Sequence, residues 1–141
     1  MKRVILDTNV FISALLAPQA EKGLILDYWM GGAFVLLYSD YQFFEIREVA
    51  TYPKLITRLK SARVETLISQ IKTLGTEVSP FTTGLEPSIP DRKDVYLLSM
   101  AINGQADYLV SSDKRHLLPL GNIGQTAVID PTTFLAMLEH S

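Results

Sequence analysis

The stretch Val4-Ile5-Leu6-Asp7-Thr8-Asn9-Val10-Phe11 decides how this 141-residue chain is read. Three apolar residues, two of them β-branched, run straight into an aspartate, and a helix-period pattern starts just after it. Such a run reads as a strand buried on both faces, and Asp7 then stands where strand gives way to helix. In open α/β sheets, ligands bind beyond the carboxyl ends of the strands, where strand order reverses. A carboxylate there either binds something or caps the helix that follows.

Working outward, apolar spacing predicts a short helix over 9–16, a second over 20–30 ended by Gly31-Gly32, and a buried strand over Ala33–Tyr38. Ser39 or Asp40 can cap a helix to about Thr51, and Pro53 ends it or starts another to about Leu59. Val64, Leu67, Ile68, Ile71 and Leu74 form the cleanest amphipathic pattern in the chain. Gly75 closes that helix, and 76–79 reads as a short strand. Residues 80–90, with Pro80, Gly84, Pro87 and Pro90, read as a surface loop. Asp91 opens a helix to about Asn103. Tyr108-Leu109-Val110 is a strand ending at Ser111-Ser112-Asp113, followed by a helical turn to Leu118. Ala127-Val128-Ile129 is the last strand, and Asp130-Pro131 caps a final helix. Strands alternating with helices imply right-handed crossovers and a mostly parallel sheet, an α/β sandwich in a single domain over 1–141.

Composition narrows the function. Apolar residues make up 48%, which suits a packed core and excludes global disorder. No apolar run is long enough to span a membrane. Lys2 and Arg3 precede only a short run ending at Asp7, which is no signal peptide. The absence of cysteine rules out thiolate chemistry and fits a cytoplasmic location. A net charge of −2 gives no global basic field, so a polyanion partner needs local basic patches or bound cations.

Four acids are candidates for such a cation. Asp7 and Asp113 each follow a strand, and as neighbours their carboxylates face one crevice. Asp94 stands in the first turns of a helix whose Leu97, Leu98, Met100, Ala101 and Ile102 are mostly apolar, with Asp91 competing for the cap. Glu45 lies inside Phe43-Phe44-Glu45-Ile46, partly shielded from water; Glu48, one turn on, is the more solvated. Two unit charges about 4 Å apart cost roughly 4 kcal/mol at an effective dielectric near 20. Such a pocket holds protons or holds a cation. Hard oxygen ligands point to Mg²⁺ or Mn²⁺ rather than zinc.

With Asp7-Thr8-Asn9-Val10-Phe11, Glu45 before Val49, Asp94 heading an apolar helix, and Ser112-Asp113-Lys114 after a strand, the chain resembles the PIN domain family over nearly its whole length. It is most similar to the toxin-like PIN proteins of type II toxin–antitoxin pairs. The resemblance implies an αβα sandwich with a parallel sheet, Mg²⁺ or Mn²⁺ dependence, endonuclease cleavage of RNA, a cognate antitoxin and a homodimer. It makes Asp7 and Asp94 direct metal ligands, has Asp113 hold the metal or its waters, and has Glu45 complete the pocket. It also suggests Thr8 or Asn9, and Ser112, as donors that orient the carboxylates. Two positions depart from the family pattern: Val95 stands where relatives often carry another acid, and Ser112 where many carry glycine.

Of the basic residues, Lys114 and Arg115 beside Asp113 suit phosphate contact. Arg47, with Lys54, Arg58, Lys60 and Arg63, is either solvated surface or a contact to an RNA backbone. His116 has no visible partner and reads as loop surface, while Trp29, Tyr28 and Phe34 suit core or a dimer face. Two other functions compete. A haloacid dehalogenase-type phosphatase also places an aspartate after its first strand, but needs a second acid two residues on, where this chain has Asn9. A non-catalytic RNA- or protein-binding module would keep the fold without needing the four acids.

Overall fold

The computed structural model describes residues 1–81 and 94–141. Most of the expected 80–90 loop and the Asp91 cap lie outside the described residues. The elements run β1 (Arg3–Leu6), α1 (Thr8–Leu16), α2 (Glu21–Met30), β2 (Val35–Tyr38), α3 (Asp40–Ala50), α4 (Ser61–Leu74) and β3 (Thr76–Glu77). They continue with α5 (Val95–Asn103), β4 (Tyr108–Val110), β5 (Asn122–Ile123), β6 (Thr126–Ile129) and α6 (Pro131–Glu139), with a 3-10 turn at Leu118–Leu120 before β5.

The strands form one sheet in the order β3-β2-β1-β4-β6-β5. Every pairing is parallel except β5 with β6. The chain builds outward from β1 through β2 to β3, then returns to the other side of β1 for β4 and β6. Strand order therefore reverses between β1 and β4, which opens the crevice beyond their carboxyl ends.

Alternation along the strands divides the core. Val4 and Leu6, Leu36 and Tyr38, and Val110 pack on one face with apolar residues of α1, α2, α3, α4 and α6. Ile5, Leu37, Leu109 and Val128 pack on the other with Tyr96, Leu97, Leu98, Met100 and Ala101 of α5. Both faces are covered, so the central strands read as continuous apolar runs. The layering is that of an αβα sandwich. Val64, Leu67, Ile68 and Ile71 of α4 are buried as the 3.6-residue period requires, while Leu74 is exposed. Asp130 caps α6 by accepting from the Thr133 amide at 2.7 Å, with Pro131 at the first helical position.

Two local expectations change. Pro53 starts no helix: the segment to Leu59 is a chain of turns, with both Leu55 and Ile56 amides bonded to the Tyr52 carbonyl. Only Leu59 and part of Leu55 turn inward, while Ile56 is exposed, so no continuous apolar face holds this segment as a regular helix. The sheet also gains β5, joined to β6 through the two-residue loop Gly124-Gln125. Gly124 has φ +58°, the left-handed conformation such hairpin turns require at their first loop position. Among the described residues, no helix is long and apolar enough to cross a membrane.

Candidate metal centre

The site begins at the reversal point. The Asp7 amide donates to the Val110 carbonyl at 2.9 Å, which carries the β1–β4 pairing one residue past the end of β1. The register Ile5↔Leu109 extended by two places Asp7 opposite Ser111 on the same face of the sheet. The side chains meet there, with Ser111 Oγ donating to Asp7 Oδ2 at 2.8 Å. Asp7 precedes α1, but its carboxylate makes no capping hydrogen bond. Helix capping therefore does not account for it.

Glu45 arrives from the other layer. Gln42 Nε2 donates to the Leu6 carbonyl at 2.9 Å, while Gln42 Oε1 accepts from the Ser39 amide at 3.3 Å. This ties the first turn of α3 to the end of β1, and Glu45 follows nearly one helical turn later. Thr8 Oγ1 donates to Glu45 Oε1 at 2.8 Å, and the Tyr96 hydroxyl from α5 donates to the same oxygen. Thr8 Oγ1 and Tyr96 Oη are themselves 3.1 Å apart. Three elements thus fix one carboxylate.

Asp113 is held by the loop that follows β4. Its amide donates to Ser111 Oγ at 3.0 Å, and its Oδ1 accepts from the Arg115 and His116 amides, each at 2.9 Å. His116 Nδ1 lies 3.5 Å from Oδ2. Asp94 immediately precedes α5, and its side chain makes no capping bond to that helix. One carboxylate oxygen each from Asp94 and Asp113, and a ring nitrogen of His116, lie within 4.8 Å of one another.

The electrostatics follow from burial and crowding. Burial pushes the Asp7 carboxyl up to about 6, helped by the charges of Glu45 and Asp113; the Ser111 hydroxyl and Thr8 amide offset only part of this. Burial, with the Glu45 carboxylate beside it, also raises the Tyr96 phenol, which stays a hydrogen-bond donor across the ordinary pH range. Burial acts on Asp113 in the same upward direction, but the His116 and Arg115 amides and the His116 ring outweigh it and hold its carboxyl below the usual range. Below about pH 6 burial and the crowded carboxylates keep a proton on Asp7, and above it the buried charge is left uncompensated unless a cation sits beside it. The oxygen donors of the crevice, one buried and the others half-buried, fit a hard divalent ion.

Asp7, Glu45 and Asp113 thus come to one end of the sheet, held by Ser111, Thr8 and Tyr96, and Asp94 joins them at Asp113; the carboxylates close enough to share one ion with His116 are Asp94 and Asp113, without Asp7 or Glu45. The expected orienting donors divide. Thr8 is buried against Glu45, whereas Asn9 is exposed. Ser112 is exposed as well, and Ser111 holds Asp7 in its place, because alternation along β4 turns neighbouring residues to opposite faces. Arg47 is engaged elsewhere, forked onto Glu65 of α4 at 2.8 and 2.9 Å. Lys114 and Arg115 are exposed beside Asp113, and Lys114 lines a cleft of about 320 Å³ with Lys22, Ser112 and Asp130. His116, expected at the loop surface without a partner, is half-buried against Asp113. Tyr96 carries no sequence signal of this role, since a tyrosine among Leu97, Leu98 and Met100 reads as core.

The sequence model of a family described as "PIN domain" matches residues 3–115. No curated protein is significantly similar in sequence. Among solved structures, the fold is similar to a chain of VapBC2 from Rickettsia felis, crystallised bound to a DNA fragment from their promoter. That match has a TM-score of 0.59 and 14% identity, covering 91% of this chain and 98% of the other.

Proposed function

The chain belongs to the PIN domain family, and from that premise we propose that it is a Mg²⁺- or Mn²⁺-dependent endoribonuclease. It hydrolyses phosphodiester bonds in single-stranded or structured RNA, as the toxin of a toxin–antitoxin pair. The observation that supports the nuclease reading is the crowding of carboxylates past the ends of β1 and β4, where burial and the charges of Glu45 and Asp113 push Asp7 up to about 6, and where Asp94 and Asp113 lie within reach of one ion. The antitoxin and the homodimer come from the sequence resemblance, the cytoplasmic setting from the absence of cysteine, and the VapBC2 likeness is in keeping with the first of these.

Asp7, Asp94 and Asp113 would hold the ion, with Glu45 beside them. A divalent cation in that place supplies charge neutralisation of phosphate oxygens and eases deprotonation of a water. The protein's own groups do the rest. Ser111 keeps one Asp7 oxygen turned into the crevice and also receives the Asp113 amide, so one hydroxyl positions two carboxylates. Thr8 and Tyr96 aim Glu45. Lys114 and Arg115 stand where a phosphate backbone entering beside Asp113 would pass. Arg47 would contact RNA only after leaving Glu65.

Purified protein with Mn²⁺ is expected to cut single-stranded RNA internally. Excess EDTA should stop it, and Asp94→Asn should lower the rate by roughly a hundredfold or more. Undiminished cutting in EDTA, or equal rates for wild type and Asp94→Asn, would place the activity outside this crevice. A non-catalytic module is the outcome if RNA is bound in EDTA and never cut in Mn²⁺.

A further inference from the structure

The acidic crevice has an aromatic margin for which nothing above accounts. Tyr41 and Phe44 project from α3 and are 44% and 61% exposed. Their ring centroids are 6.2 Å apart, and Tyr41 packs on Tyr96 at 4.6 Å. Tyr96 in turn donates to Glu45, which lies next to Phe44 on the same helix. Exposed rings scattered singly need no explanation, but these are contiguous with one another and with the candidate site.

We propose that Tyr41 and Phe44 form a stacking platform for an unpaired nucleobase of the RNA strand whose backbone enters the acidic crevice. The proposal deepens the nuclease reading and rests on it for the identity of the strand. A crevice lined by carboxylates in a chain of net charge −2 gives a polyanion little electrostatic attraction beyond any bound cation. Base stacking supplies binding that does not depend on charge, and it tolerates any sequence because every base has a π face. The platform sits beside Glu45 rather than across the molecule, so a base stacked there leaves its strand running past the acids. It also selects single strands, because bases in a duplex are already stacked on each other.

The test is a binding cycle using short oligoribonucleotides that carry 2-aminopurine, in Ca²⁺ and apart from cleavage. Phe44→Leu keeps the residue apolar and removes the π face. Stacking predicts quenched 2-aminopurine fluorescence with wild type, lost with Phe44→Leu, and binding weaker by about tenfold. Replacing the stacked nucleotide by an abasic one should cost wild type the same factor and Phe44→Leu nothing. Tyr41→Leu should act in the same direction, and in cleavage assays Phe44→Leu should raise KM while leaving kcat unchanged.

Binding of Phe44→Leu within twofold of wild type, or wild type that binds no RNA, overturns the platform. So does a wild-type dimer that Phe44→Leu dissociates, which would assign the face to a second copy of the chain. Failure of the nuclease reading is a separate result, namely wild type that binds and quenches the oligonucleotide yet never cuts RNA in Mn²⁺.

Discussion

Asp7→Asn is expected to lower RNA cleavage by roughly a thousandfold while making the metal-free protein more stable at pH 8. The two effects have one cause. The folded protein holds a proton on Asp7 up to about pH 6, far above the ordinary aspartate value of 3.8. The stability this contributes is fully present below the unfolded value and is lost as pH rises through about 6. Above that window, wild type without metal bears a buried charge costing up to about 3 kcal/mol. Asparagine is neutral throughout and escapes that cost, but it is a poor ligand for a hard cation. Thermal melts in EDTA across pH 4–8 check the sign: wild type should fall relative to Asp7→Asn between about pH 4 and 6, ending several degrees lower. Saturating Mn²⁺ should narrow the gap by stabilising wild type alone. Parallel melting curves at every pH would remove the electrostatic account of the crevice.

Gly23→Ala is expected to destabilise the fold by about 3 kcal/mol or more. A Cβ at Gly23 would meet the Pro18 carbonyl oxygen at 2.0 Å and its carbon at 2.4 Å. Both are backbone atoms that no rotamer change can move. The α1–α2 connection folds back over the buried face of α2 at that point, and only a hydrogen side chain admits it. Relieving the clash means shifting α2 or the end of α1, the helix that begins at Asp7. A fall in melting temperature of roughly 10 °C is the expected readout. A change within about 2 °C would mean that the connection passes elsewhere.

What sequence could reach follows from the range of each signal. Val4-Ile5-Leu6 and Tyr108-Leu109-Val110 were legible because central strands buried on both faces must be apolar throughout, and the acids after them inherit that placement. Asp130-Pro131 was legible because a cap is a local device. Of the two readings of Pro53, ending one helix or starting the next to Leu59, no second helix forms, because a proline opening a helix and a proline opening successive turns look alike until long-range packing decides. β5 was missed because two residues carry no period, although Gly124-Gln125 held the hairpin signal. The choice of Ser111 over Ser112 rests on strand parity, which is settled only when β4's register against β1 is known. Arg47 reads from sequence as solvated surface or an RNA contact because its partner Glu65 lies 18 residues away on another helix. Tyr96 could not have been found, since its role comes from where its hydroxyl ends, against Thr8 and Glu45.

The most direct test of the central claim is anomalous diffraction from crystals of wild type soaked in Mn²⁺. A manganese peak is expected in the crevice beyond β1 and β4, contacted by carboxylate oxygens of Asp7, Asp94 and Asp113 and absent from Asp7→Asn crystals. Manganese bound only elsewhere on the surface, or an empty crevice at saturating Mn²⁺ with those carboxylates ordered, would contradict it.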